Sequence, residues 1–194
     1  MQFSLSVPPE GKLKSFANTQ YKNILWNSFI VQSISIILSV GLYIGGFALW
    51  PVKPQVIIKA PLIYAFSFIF CVFITLLTHE ILHLAFSPNG FKSKDSIIGF
   101  NPKNLMFYAY TSSRMTWARS IVFLLGPFVV LTAIPCLLVF IVGLPSGWLG
   151  LIAILNASLS ANDLIVASYI FFRIPSDAID VQPEITGIRF LTPS

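Results

Sequence analysis

Charge is what this sequence has least of. Of its 194 residues only 10% are Asp, Glu, Lys or Arg, against about 25% in a soluble globular domain, so the polar surface that keeps a compact particle in water is missing. Histidine is scarcer still, with only His79 and His83 in the chain. The two cysteines, Cys71 and Cys136, both sit inside apolar runs, where thiols act as small hydrophobes and not as a disulfide framework. No cluster of bases interleaved with aromatics accompanies the net charge of +5, so nucleic acid is not the expected partner. The first twenty residues, with Pro8, Pro9, Glu10, Lys12 and Lys14, lack an apolar core followed by small residues, and no removable signal peptide is expected.

What is abundant is apolar surface. Hydrophobic residues make up 56% of the chain and the mean hydropathy is +0.82, which also excludes a disordered polymer. Four segments reach the length that crosses a bilayer: residues 24–50, 61–86, 120–142 and 148–172. Pro127 and Pro135 fall inside the third, a placement tolerated at membrane depth where neighbouring helices re-satisfy the freed carbonyls. The expected fold is an all-α integral membrane protein of about four transmembrane helices embedded in the lipid bilayer. Residues 1–23 form an N-terminal segment, 24–172 the membrane domain and 173–194 a tail.

The bases set the orientation. With four helices, one side carries Lys12, Lys14, Lys22, Lys92, Lys94, Lys103, Arg114, Arg119, Arg173 and Arg189, and the other only Lys53 and Lys59. That imbalance predicts a cell-membrane protein with both termini and the middle loop cytoplasmic. Within that loop Pro102 and the flanking asparagines separate Ser96-Ile97-Ile98-Gly99 from Leu105-Met106-Phe107-Tyr108-Ala109-Tyr110. This pattern predicts a short β-hairpin between helices two and three, an ordinary surface connection being the alternative. The tail alternates apolar and polar residues around Pro175, Pro183 and Gly187, and is expected to be extended and docked on the cytoplasmic face.

Chemistry concentrates at Thr78-His79-Glu80-Ile81-Leu82-His83, an HExxH sequence near the cytoplasmic end of helix two. Four residues advance a helix by little more than one turn, so His79 and His83 share a face and can share a metal while Glu80 stands beside them. Two histidines placed at random would be four apart roughly 1% of the time, before a Glu is also required. A carboxylate in an apolar helix costs about 2.5–3.5 kcal/mol at the bilayer centre, and something should compensate. A plainer account has the histidines bonding neighbouring helices and Glu80 pairing with Arg114 or Arg119.

A catalytic zinc needs three protein ligands and an open position. No third histidine exists, so a cysteine or carboxylate must complete the set. At ~1.5 Å per residue, His83 and His79 lie about 5 and 10 Å from the cytoplasmic end of helix two, and Asp163 about 14 Å from that of helix four. Cys71 is two turns beyond His79 and Cys136 deeper still, while Asp95, Asp177, Asp180 and Glu184 lie in the loop and tail. Asp163 is the other acid within a membrane segment, and an intramembrane ionisable group is a functional candidate by default. Asn156, Ser160 and Asp163 form one polar stripe that must face the bundle interior, with Asn162 adjacent. Plain helix-helix hydrogen bonding accounts for some of that stripe, a supporting role behind a metal ligand or a contact to a substrate carbonyl being the alternatives for Asn156.

These features together resemble the zincin membrane peptidases related to the site-2 proteases: HExxH in a membrane helix, a hairpin-like segment, Leu125-Gly126-Pro127 in helix three and Asn162-Asp163 in a later helix. The resemblance covers about residues 61–172. It implies that His79, His83 and Asp163 hold Zn²⁺ and that Glu80 is the catalytic acid/base. It further implies hydrolysis of peptide bonds in membrane-protein or peptide substrates near the cytoplasmic face. The Asn-Pro-Asp-Gly that surrounds the aspartate in site-2 proteases is here Ala161-Asn162-Asp163-Leu164. A noncatalytic zinc scaffold or sensor is the alternative, and a transporter a more distant one because few other charges lie within the membrane segments.

Overall fold

A computed structural model of the chain describes residues 12–16, 30–41, 44–45, 61–92, 96–102, 106–142, 147–184 and 187–192. The apolar run at residues 61–86 folds as one long helix, α2 (Pro61–Phe86). It stops where Ser87 Oγ turns back to the carbonyl of Leu84, Pro88 follows, and Asn89 and Gly90 adopt positive φ values of 65° and 52°. Positive φ after a helix is the usual way the last carbonyls find partners, and glycine takes it without steric cost. About half of the expected first span at 24–50, residues 24–29, 42–43 and 46–50, lies outside the described residues. Within it, α1 (Ile30–Gly41) is an apolar helix, joined to the bundle by Gln32 Nε2, which donates to Ser158 Oγ.

The third run begins at α3 (Trp117–Phe128), whose first turn is capped by Thr116, with extended backbone and a side-chain oxygen accepting from the Arg119 N–H. It does not continue as a regular helix. A π-helical turn at Val129–Ala133 leads into the short α4 (Ile134–Leu137) and a second π turn at Leu138–Val142. Irregular turns of this kind follow from the prolines, because Pro127 and Pro135 each remove an N–H from the ladder.

The fourth expected span is not one straight helix. It is divided into α5 (Gly147–Leu159) and α6 (Ala161–Arg173), bent by 53° where they meet. Two helical stretches, Ala65–Phe86 and Trp117–Ile141, are long and apolar enough to cross a membrane, and the bent pair adds a third if counted as one span. Among the described residues the count is therefore two to three.

The loop between α2 and α3 forms the expected hairpin. β2 (Ser96–Asn101) and β3 (Met106–Thr111) pair antiparallel from Ser96↔Thr111 to Asn101↔Met106. Phe107 fixes this hairpin to the bundle, its ring 5.6 Å from that of Phe73 on α2 and 5.0 Å from that of Phe100. The tail supplies β4 (Asp180–Glu184) and β5 (Gly187–Thr192), and β1 (Lys12–Phe16) pairs with β5 to give a second sheet in the order β1-β5-β4. An all-α fold therefore understates the molecule, which is mostly helical with two small antiparallel sheets. Val181 N–H donates to Met115 O at 2.7 Å and Ser120 Oγ to Val181 O at 2.9 Å, so β4 is tied to the start of α3. Met115, Phe123, Ile170, Val181, Ile188 and Phe190 form one buried cluster beneath it.

Candidate metal centre

His79 and His83 stand one turn apart on α2, facing α3 and α6, and both are buried. A buried imidazole must place both ring nitrogens, and here the partners decide the tautomer. His83 Nδ1 lies 2.8 Å from Phe123 O. A carbonyl can only accept, so this nitrogen carries the proton.

His79 Nδ1 lies 2.8 Å from Asn156 Oδ1. The orientation of that amide follows from its other contacts: Asn156 Nδ2 is 3.0 Å from Pro127 O, an obligate acceptor, 2.9 Å from Thr132 Oγ1 and 3.3 Å from Ser160 Oγ. Thr132 in turn donates to Ala153 O at 3.1 Å, leaving its lone pairs for Asn156. The amide nitrogen faces these acceptors, so its oxygen faces His79 and His79 Nδ1 is the donor. Asn156 is fully buried, and every hydrogen-bonding atom of its side chain is used.

With both Nδ1 atoms donating, each neutral imidazole presents its Nε2 lone pair inward. They are 3.2 Å apart, and Asp163 Oδ2 lies 3.1 Å from that of His79 and 3.3 Å from that of His83. Three acceptor atoms at mutual contact repel unless a cation or a shared proton lies among them. A tetrahedral zinc with ligand bonds near 2.0–2.1 Å would set its donor atoms about 3.3–3.4 Å apart, close to this triangle. Two imidazoles and one carboxylate are also a donor set that zinc accepts, so the residues fit the ion. Among the described residues this is the one group of three His, Cys, Asp or Glu side chains close enough to share a metal.

Asp163 reaches the histidines because the chain bends just before it. Ser160 precedes α6, and Asp163 falls in that helix's first turn, where the positive end of the helix favours a carboxylate. The bend forms without a local Pro or Gly, and the backbone stays bonded across it through Ser160 N–H to Asn156 O at 2.8 Å and Leu164 N–H to Ser160 O at 2.9 Å. Asn156 and Ser160 are buried with the site, whereas Asn162 is exposed and takes no part.

Glu80 stands outside the triangle. Its Oε2 accepts the main-chain N–H of Ala109 at 2.7 Å, and the guanidinium of Arg119 donates to Ser87 O at 2.8 Å. The carboxylate is therefore held against β3, on the edge away from β2, while the ligand positions are filled by other residues. Cys71 and Cys136 remain free thiols away from the cluster. What residue types could not reveal are the main-chain partners, Phe123 O for His83 and Ala109 N–H for Glu80, since a backbone atom leaves no mark in composition. A proline four residues after Phe123 was the available signal for the first.

A family model described as "Putative zincin peptidase" matches residues 72–179. No curated protein and no solved structure matches the chain. The matched span is more than half of the sequence and contains both histidines, Glu80, the hairpin and Asp163, so the chain belongs to the putative zincin peptidase family.

Proposed function

We propose that this protein is a zinc-dependent peptidase related to the site-2 proteases, cutting membrane-associated polypeptides near the cytoplasmic face of the bilayer. The observation that carries the reading is the division of labour at the site. Three side chains converge as acceptors for one cation, and a fourth group, the Glu80 carboxylate, stands beside them.

Bound by His79, His83 and Asp163, Zn²⁺ would supply the Lewis acidity that polarises a scissile carbonyl and acidifies water. The chain's own residues do the rest. Asn156 and the Phe123 carbonyl hold the imidazoles in the tautomer that leaves Nε2 unprotonated. Glu80 takes the proton of the attacking water on a carboxylate oxygen and returns it to the departing amine. A substrate helix must unwind before its peptide bonds can be reached. The edge of β3 that faces Glu80 supports strand addition as the way an extended segment is held, because among the described residues β3 pairs with β2 alone. The cytoplasmic orientation rests on the ten-to-two placement of bases.

Purified protein in bilayers, assayed for metal content and for cleavage of a reporter membrane substrate, tests the reading. About one zinc per chain, with cleavage lost on chelation and restored by zinc, is expected. Zinc bound without cleavage of any substrate offered would favour a noncatalytic scaffold, and reporter fusions that place the 92–119 loop opposite the N-terminus would overturn the orientation.

A further inference from the structure

The two histidines obtain their Nδ1 acceptors by different means. His79 uses a side chain, Asn156. His83 uses a main-chain carbonyl, Phe123 O, from within helix α3. In an uninterrupted α-helix that oxygen would be occupied, because the carbonyl of residue 123 accepts the N–H of residue 127. Residue 127 is proline, inside the helix, and it has no N–H to give.

We propose that Pro127 is a positioning residue for the metal site: by leaving Phe123 O without its helical donor, it supplies the acceptor that fixes the tautomer and ring orientation of His83. The inference rests on the metal reading given above. Gly126 makes the arrangement reachable. A Cβ at Gly126 would lie 2.1 Å from a ring atom of Phe86, so with any larger residue either that ring or α3 itself would have to move. The carbonyl lies against His83 within one turn of that contact.

A proline could also act by bending the helix, and the test separates the two. Residue 127 is replaced by alanine, which restores the N–H, and by the α-hydroxy counterpart of alanine, which has an ester oxygen in place of the N–H and no ring. Zinc affinity is measured by competition with a chelator in purified protein, and the protonation of His83 Nδ1 by nitrogen-15 spectra of the metal-free protein. Pro127→Ala should weaken zinc about tenfold or more, the usual cost of losing a partner behind a metal ligand, and should shift the His83 tautomer. The ester variant should bind zinc as the wild type does and keep the wild-type His83 spectrum. Equal loss in both variants assigns the effect to the ring and overturns the proposal, as does unchanged affinity in both. Should the alanine variant fail to fold, the ester variant decides: wild-type zinc affinity and spectrum support the proposal, and weakened binding overturns it. A wild-type protein that takes no zinc removes the metal reading, and the spectra alone then judge the His83 bond.

Discussion

The two halves of α2 share one helix and obey opposite rules. In its first half Phe66, Ile69 and Phe70 are 69%, 62% and 65% exposed. In its last turns His79 and His83, and Ser87 just beyond, are 4%, 6% and 0% exposed. Apolar residues face out and polar ones face in, the reverse of a soluble helix. Lipid tails are as apolar as phenylalanine, so burying Phe66 against another helix gains little, whereas each polar atom must find a partner inside the protein. The buried end accordingly holds a closed set of hydrogen bonds around three acceptor atoms, and the exposed end holds none of the chemistry.

The sharpest way to test that contrast is to remove ligands from the buried end. His79→Ala and His83→Ala should each abolish zinc binding, and Asp163→Ala should weaken it severely, measured as metal content after desalting. Phe66→Ala, at the outer end of the same helix, should leave the stoichiometry at one. Full occupancy in Asp163→Ala would place the third ligand elsewhere and dissolve the triangle.

Within the buried end a second division can be broken separately. Glu80→Gln keeps the size and most of the hydrogen-bonding capacity of the carboxylate but cannot take a proton, so zinc should stay bound while cleavage falls by about 10²–10⁴, the usual weight of general acid–base catalysis. Undiminished hydrolysis by the zinc-loaded variant would strip Glu80 of its assigned role.

A smaller effect is expected from Asn156, which holds His79 from outside the His79–His83–Asp163 triangle. Asn156→Ala removes the acceptor for His79 Nδ1 and abandons Pro127 O and Thr132 Oγ1, and about a 10–100-fold loss of zinc affinity should follow. Nitrogen-15 spectra of His79 should shift with it, a change that a merely loosened helix would not confine to that ring.

How much of this is legible in the sequence depends on whether side chain or main chain carries the information. The spacing of His79 and His83 fixes them to one helical face, and the stripe Asn156, Ser160, Asp163 marks the buried face of its segment. Both features appear in the structure, as does the hairpin, where Pro102 and asparagines separate a pair of β-forming runs. The bend at Ser160 leaves no such trace. No proline or glycine lies there, and the apolar run over 148–172 reads as one straight span. The turn is set by packing and by the polar network that draws Asn156 and Asp163 toward the same histidine, which is tertiary information. The tail shows the same limit in another form: alternation predicts an extended chain, but the pairing of β5 with β1, at the opposite end of the sequence, is not encoded in either strand alone.

The smallest effect tests the comparison most directly, because it asks for a difference between two identical deletions. Ile69→Val and Ile170→Val each remove one methylene. Ile170 is fully buried in the cluster beneath β4, where the vacated space cannot fill, and a loss of about 0.5–1.5 kcal/mol is expected. Ile69 faces outward, and lipid or detergent closes over a missing methylene at once, so its change should stay within about 0.5 kcal/mol. Unfolding of both variants in the same detergent or bilayer gives the comparison, with zinc affinity as a control that neither should move. If Ile69→Val costs as much as Ile170→Val, then the outer half of α2 is packed against protein and the division of the helix into a lipid-facing and a metal-facing half fails.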